Sequence, residues 1–147
     1  LKNSIENIKS FYDYIFIDCP PSLGLLTINA LAVTNTVLIP IQCEFYALEG
    51  VSQLMNTISL VKQGLNPHLE IEGVLMTMFD SRTNLSNQVV DEVVDYFKEK
   101  VYDTMIPRNV RLAEAPSYGQ TIFEYASGSK GSKAYLALAK EFVQRQE

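Results

Sequence analysis

The 147-residue sequence predicts an α/β domain: a mostly parallel sheet flanked by helices. Three observations carry that prediction. Short apolar runs alternate with stretches whose apolar residues recur every three or four positions, the pattern of βαβ units. The runs are apolar at consecutive rather than alternate positions, which suits strands covered on both faces. Each run also stops at polar or proline residues, and ligands of such sheets bind outside those strand ends.

In chain order, Leu1, Ile5, Ile8 and Phe11 have helical spacing, and Tyr14 to Ile17 forms the first apolar run. It is read as a strand ending at Asp18 and the Pro20-Pro21 pair. Ser22 is expected to cap a helix carrying Leu25, Leu26, Ile28, Leu31 and Ala32. Val37 to Ile41 is the second strand. A long helix follows, with Leu48, Val51, Leu54, Met55, Ile58 and Val61 on one stripe and its stop at Gly64 and Pro67. Ile71 to Met78 is the third strand. Ser86 is expected to cap the next helix, in which Val89, Val90, Val93, Val94 and Phe97 share a face. Val101 to Ile106 is a short fourth strand ended by Pro107. Tyr135, Leu136, Leu138, Ala139, Phe142 and Val143 make a closing helix.

Composition narrows the function classes. With 47% hydrophobic and 20% charged residues, the chain is long and apolar enough for one packed core. A disordered tail, a collagenous repeat and a small disulfide scaffold are excluded. The net charge of −5 rules out a global basic field, although the last third, from Thr104 onward, is richer in basic than acidic residues. Cys19 and Cys43 end apolar runs and form no CxxC, so they read as reduced, buried thiols. His68 has no nearby partner for a zinc site. No apolar run approaches the ~20 residues of a membrane span, and no leader-like pattern opens the chain. The start at Leu1, directly in helix-like sequence, is read as that of a piece of a longer protein.

Asp18 is the sharpest chemical signal. A carboxylate at the mouth of an apolar parallel strand can reach Mg²⁺ in a phosphate-binding site. It can equally cap the following turn, and position alone leaves both readings open.

The surrounding residues decide between them. Tyr14-Ile-Phe-Ile-Asp-Cys-Pro-Pro-Ser-Leu-Gly24 resembles the Walker B segment of the ParA/Soj partition ATPases. The resemblance continues through Leu25 to Leu31, Ile39 to Gly50, Thr77 to Asn84 and Ile106 to Gly119, in family order. It implies a P-loop NTPase fold of the deviant Walker type, present in part, and a nucleotide-switched homodimer using ATP and Mg²⁺. By resemblance, Asp18 is the Walker B carboxylate near Mg²⁺, and Met78, Pro107 and Asn109 line the adenine pocket. Gln42, Glu44 and the Ala47-Leu-Glu-Gly50 turn lie beside the nucleotide, near the surface buried between subunits. The family binds DNA without sequence preference and is stimulated by a ParB-like partner, which implies a cytoplasmic, nucleoid-associated protein. Arg82 and Arg111 match its DNA-binding positions best, with Arg108 close by. Sequence-independent binding needs only phosphate contacts from such side chains.

Gly128-Ser-Lys-Gly-Ser-Lys133 looks suited to phosphate but fails the Walker A pattern, because Gly131 is followed by serine. It is read as a flexible turn before the last helix, and Lys130 and Lys133 as weaker DNA candidates. The family's lysine-bearing glycine loop and its switch aspartate are absent, so no catalytic residue is expected here. The chain, residues 1–147, is read as the C-terminal portion of a single ParA-type domain, inactive alone. In the family's sheet the phosphate-loop strand lies beside the Walker B strand. Without it, Tyr14 to Ile17 is expected to be an apolar edge needing a cover.

Asn35-Thr36, Ala113 and Ala126 depart from the family pattern without touching these positions. A MinD-like membrane ATPase is the alternative, but Glu141-Phe-Val-Gln-Arg-Gln-Glu147 is mixed in charge and polar at its tip, unlike an amphipathic anchor. A non-catalytic dimerisation or DNA-binding module is the other.

Overall fold

A computed structural model describes residues 1–20 and 24–146. The architecture is the expected one, a parallel sheet flanked by helices. The chain forms two compact units, Leu1–Val37 with Gly50–Ile71, and Leu38–Glu49 with Glu72–Glu147.

The first unit opens with α1 (Lys2–Glu6) and a 3₁₀ turn at Lys9–Phe11, neither with a buried residue. Residues 14–17, expected as a strand, take no strand structure, and Tyr14 and Phe16 are 45% and 72% exposed. Ladder hydrogen bonds make a strand, and none of the strand pairings among the described residues involves residues 14–17. Next comes α2 (Leu25–Leu31), with Gly24 at its N-cap; Ser22, the expected cap, lies outside the described residues. This helix buries Thr27, Ala30 and Leu31, while Leu25 and Leu26 are exposed. Strand β1 (Thr36–Gln42) leads into α3 (Ala47–Gly64), which buries Val51, Ile58 and Val61 on one stripe. Beyond Gly64, the Asn66 amide donates to the Leu31 and Thr34 carbonyls at 2.9 and 2.8 Å, tying this turn to the end of α2.

In the second unit, β2 (Glu70–Thr77) runs between two parallel neighbours. On one edge the Cys43 N–H donates to the Thr77 carbonyl. On the other, the Tyr102 and Ile106 N–H groups donate to Val74 and Met76. Gly73 to Met76 are all buried, so both faces of β2 are covered, as its unbroken apolar run predicts. The expected fourth strand is reduced to isolated pairings, Val74 with Val101 and Phe79 with Pro107. Between the Tyr102 and Ile106 bonds, β2 advances from Val74 to Met76 while the partner uses four positions. Asp103 and Thr104 are therefore looped out of the ladder as a bulge.

One face of β2 packs Leu75 with Tyr102, Ile106 and Leu138, joined by Leu38, Leu112, Ala134 and Phe142. Gly73 is dictated by this packing, because a β-carbon there would overlap the Tyr102 ring. Helix α4 (Asn84–Phe97) buries Val89, Val90, Val93 and Phe97. Its N-cap is Thr83, not Ser86: the Thr83 hydroxyl accepts from the Ser86 N–H at 3.3 Å, a contact worth ~1 kcal/mol. Ser86 is buried instead and donates to the Cys43 carbonyl at 3.4 Å. After α5 (Val110–Glu114) and α6 (Ile122–Ala126), which carries a Thr121–Glu124 capping box, comes α7 (Lys130–Gln146). The glycine-serine-lysine tract is thus mostly helix, Lys130 to Lys133 forming the start of α7, rather than a flexible turn. Gly131 lets α7 approach α5, since a β-carbon there would lie 2.6 Å from Leu112 Cγ.

Candidate functional site

Three chain segments end together at the C-terminal mouth of the sheet: Gln42 to Glu44, Thr77 to Asp80, and Ile106 to Asn109. Hydrogen bonds fix their order. The Thr77 hydroxyl donates to the Ile41 carbonyl at 3.2 Å, the Phe79 N–H to Ile106, and the Arg108 N–H to Phe79. In an unbroken parallel ladder the Ile106 carbonyl would accept from Met78. It accepts from Phe79 instead, at 3.1 Å, so Met78 is an inserted residue. Its φ of 54° is left-handed, a conformation that costs a non-glycine residue about 1–2 kcal/mol and recurs at ligand sites.

The expected adenine residues Met78, Pro107 and Asn109 therefore share one mouth, each partly buried. Asn109 caps α5, its Oδ1 accepting from the Arg111 N–H at 2.9 Å. The polar group it offers a ligand is its amide nitrogen. Two apolar side chains and one hydrogen-bonding group suit the faces and edge of a flat heterocycle. Gln42 and Glu44 stand at the same mouth, both exposed. Cys43 between them is buried, and burial pushes its thiol up to about 11, which keeps it protonated at neutral pH.

Charge is arranged in pairs. Arg82 grips Asp80 with two side-chain bonds, at 2.9 and 2.7 Å. Those bonds, helped by the Arg82 backbone N–H and the charge of Arg108, hold the Asp80 carboxyl down to about 2. Arg108 pairs with Glu44 at 2.6 Å. Arg111 pairs with Glu114 at 2.9 Å, and Glu114 also accepts from the Tyr125 hydroxyl at 3.0 Å. All three candidate DNA-binding arginines thus lie in the second unit, exposed yet each with a carboxylate partner. Sequence spacing showed the arginines but not Asp80 and Glu44 as their counterions.

Asp18 and Gly50 belong to the first unit. Asp18 is exposed beside Cys19, whose thiol donates to the Ile17 carbonyl. Gly50 lies in the first turn of α3, where a β-carbon would meet nothing within 4 Å outside the helix's own backbone. The expected Ala47–Gly50 turn is thus the start of a helix. Among the described residues no group of three or more acidic, histidine or cysteine side chains is placed to cage a metal. A single carboxylate is nevertheless what Mg²⁺ takes when phosphates and water supply its other ligands. Taken separately, each within its own unit, the Asp18 carboxylate has the chemistry of a Mg²⁺ ligand and the mouth with Met78, Pro107 and Asn109 that of a base pocket. Nothing in the chain fits a nucleotide's phosphates, because no lysine-bearing glycine loop is present.

Sequence reasoning missed one further cluster. Glu141 and Arg145 on α7 reach the bulge before Ile106, and their four-residue spacing was its only visible signal.

Comparison with known proteins places the chain. A family model described as an AAA domain matches residues 1–71. The chromosome partitioning protein ParA of Myxococcus xanthus is 59% identical over 99% of this chain and 51% of its own length. The sporulation initiation inhibitor protein Soj of Bacillus subtilis is 62% identical over 96% of the chain and 56% of its own length. A cobyrinic acid a,c-diamide synthase from Mycobacterium smegmatis, solved with bound ADP and magnesium, superposes with a TM-score of 0.78 at 36% identity. That match covers 99% of this chain and 52% of the synthase. The cell division ATPase MinD of Pyrococcus furiosus, at TM-score 0.76 and 23% identity over 97% of this chain and 56% of its own, shares the fold. The chain spans about half the length of the curated relatives it matches. Over the residues it spans, this chain is similar along nearly its whole length to the ParA and Soj proteins.

Proposed function

We propose that the chain is the C-terminal portion of a ParA-type ATPase domain whose phosphate loop is supplied by other sequence of the same protein. The whole protein partitions DNA. It dimerises around Mg-ATP, binds DNA without sequence preference in that state, and releases it when a ParB-like partner stimulates hydrolysis. Its place is the cytoplasm, on the nucleoid. Asp18 holds Mg²⁺, Met78, Pro107 and Asn109 take the adenine, and Gln42, Glu44 and Gly50 lie beside the nucleotide and the second subunit. The observation that carries this reading is identity above half over nearly the whole chain with ParA and Soj proteins. The shared mouth of Met78, Pro107 and Asn109 supports it. Alone, the chain neither binds ATP tightly nor hydrolyses it, because positioning and charge neutralisation by the phosphate loop supply most of such catalysis.

Against a membrane role, Glu141 and Arg145 of α7 are committed to backbone groups of Asp103, Thr104 and Val101. Among the described residues no helix is long and apolar enough to cross a membrane.

Arg82, Arg108 and Arg111 are the DNA contacts, exchanging carboxylates for phosphates when DNA arrives. The full-length protein with Arg82→Ala and Arg111→Ala should lose DNA retention equally for all sequences. The log–log salt slope should fall by about 2 per subunit. Retention measured on unrelated duplexes across a salt series checks this. A sequence-dependent loss, or an unchanged slope, contradicts it.

A further inference from the structure

The bulge at Asp103 and Thr104 leaves two backbone donors without ladder partners, and one side chain takes both. Glu141 on α7 accepts from the Asp103 N–H through Oε1 at 2.8 Å and from the Thr104 N–H through Oε2 at 2.9 Å. Arg145, one turn further on, donates to Glu141 Oε1 at 2.8 Å and to the Val101 carbonyl at 2.8 Å. Its guanidinium lies 4.0 Å from the centre of the Tyr102 ring. Tyr102 is 1% exposed and donates its hydroxyl to Glu72 at 2.8 Å. Burial works against a charged Glu141, but the bonds from Thr104, Asp103 and Arg145 outweigh it and lower its pKa. The carboxylate is therefore ionised at neutral pH and able to hold both donors.

This clamp stands immediately upstream of the base-side residues. From Thr104 the chain runs through Met105 to Ile106, whose carbonyl receives the Phe79 N–H, and then to Pro107, Arg108 and Asn109. Two irregularities set that register, the looped-out pair on one strand and the left-handed Met78 on the other. A ladder without the looped-out pair would place Pro107 and Asn109 two positions out of step with Met78, the spacing of more than one pleat. Backbone bonds of Ile106 to Met76 and of Arg108 to Phe79 hold the stretch after the loop-out, and the two side chains on α7 hold the looped-out pair itself.

We infer that Glu141 and Arg145 are positioning residues for the base-recognition end of the nucleotide site: the C-terminal helix sets the register in which Pro107 and Asn109 meet Met78, and so sets base selectivity. This rests on the functional reading above. Neither residue touches the ligand. Their effect is confined to the base and absent from the phosphates, and that restriction separates positioning from general support of the fold.

The test uses the full-length protein and equilibrium binding of three probes with Mg²⁺: ATP, GTP and inorganic tripolyphosphate, which has no base. Glu141→Ala should weaken ATP about tenfold, narrow the ATP-to-GTP preference and leave tripolyphosphate binding unchanged. Glu141→Gln, which keeps one acceptor oxygen, should recover part of the loss. If Glu141→Ala loses its cooperative melt, Glu141→Gln and Arg145→Lys carry the same criterion. Parallel loss of ATP and tripolyphosphate in those variants, or unchanged ATP binding, overturns the inference. Wild-type protein that binds no Mg-ATP overturns the nucleotide reading itself, a result distinct from a failure of selectivity.

Discussion

Asp18→Asn in the full-length protein is expected to lower Mg-ATP turnover by about a hundredfold or more, the scale of losing one preorganised charge contact at a phosphoryl-transfer site. Asparagine keeps the shape and removes the charge that draws a hard cation. The side chain is exposed, so folding stability should move by no more than about 0.5 kcal/mol. Steady-state turnover across a Mg²⁺ titration, with a thermal melt on the same sample, checks both halves. Unchanged turnover at saturating Mg²⁺ returns Asp18 to the simple role of turn cap. A large fall in the melting temperature gives it a structural one.

Gly73→Val should be among the most destabilising single changes in the second unit, costing about 3 kcal/mol. The β-carbon alone overlaps the Tyr102 ring and lies 3.0 Å from the Lys100 carbonyl. Tyr102 cannot swing aside freely. Its hydroxyl is bonded to Glu72, Arg145 covers its ring, and its neighbours are the core residues Leu75, Ile106 and Leu138. Gly64→Ala makes the control, because nothing stands within 4 Å of a β-carbon there. Denaturant unfolding of the two variants should separate them clearly. Equal, small effects would mean that the Tyr102 ring does not hold its observed place.

Much of this fold is legible in the residues. The run Ile71 to Met78 announces a strand covered on both faces, and β2 is that strand. The stripe Val51, Ile58 and Val61 with Gly64 beyond it gives α3 and its end. What local pattern does not show is what depends on partners far along the chain. Tyr14 to Ile17 has the composition of a central strand, yet takes no strand structure. Val101 to Ile106 also looks like a strand, yet the bonds that Asp103 and Thr104 donate to Glu141, some forty residues away, stabilise a bulge in it. Ser86 was the nearer serine to the apolar helix face, but the cap fell to Thr83 because Ser86 is drawn inward to Cys43. That Met78, Pro107 and Asn109 stand at strand ends was legible from the apolar runs they close. Their register was not, since it arises from one left-handed residue and two side chains on the last helix. The arginines were legible as charge, their carboxylate partners only once the sheet mouth had formed.

We propose a division of labour in which these residues supply the base pocket and the metal carboxylate and the phosphates are held by sequence outside them. Mg-ATP turnover, measured for the full-length protein and for residues 1–147 alone, tests it most directly. Turnover by the full-length protein should rise with DNA and a ParB-like partner, and the isolated stretch should show none. Hydrolysis by residues 1–147 alone, or a full-length protein indifferent to ATP, would contradict it.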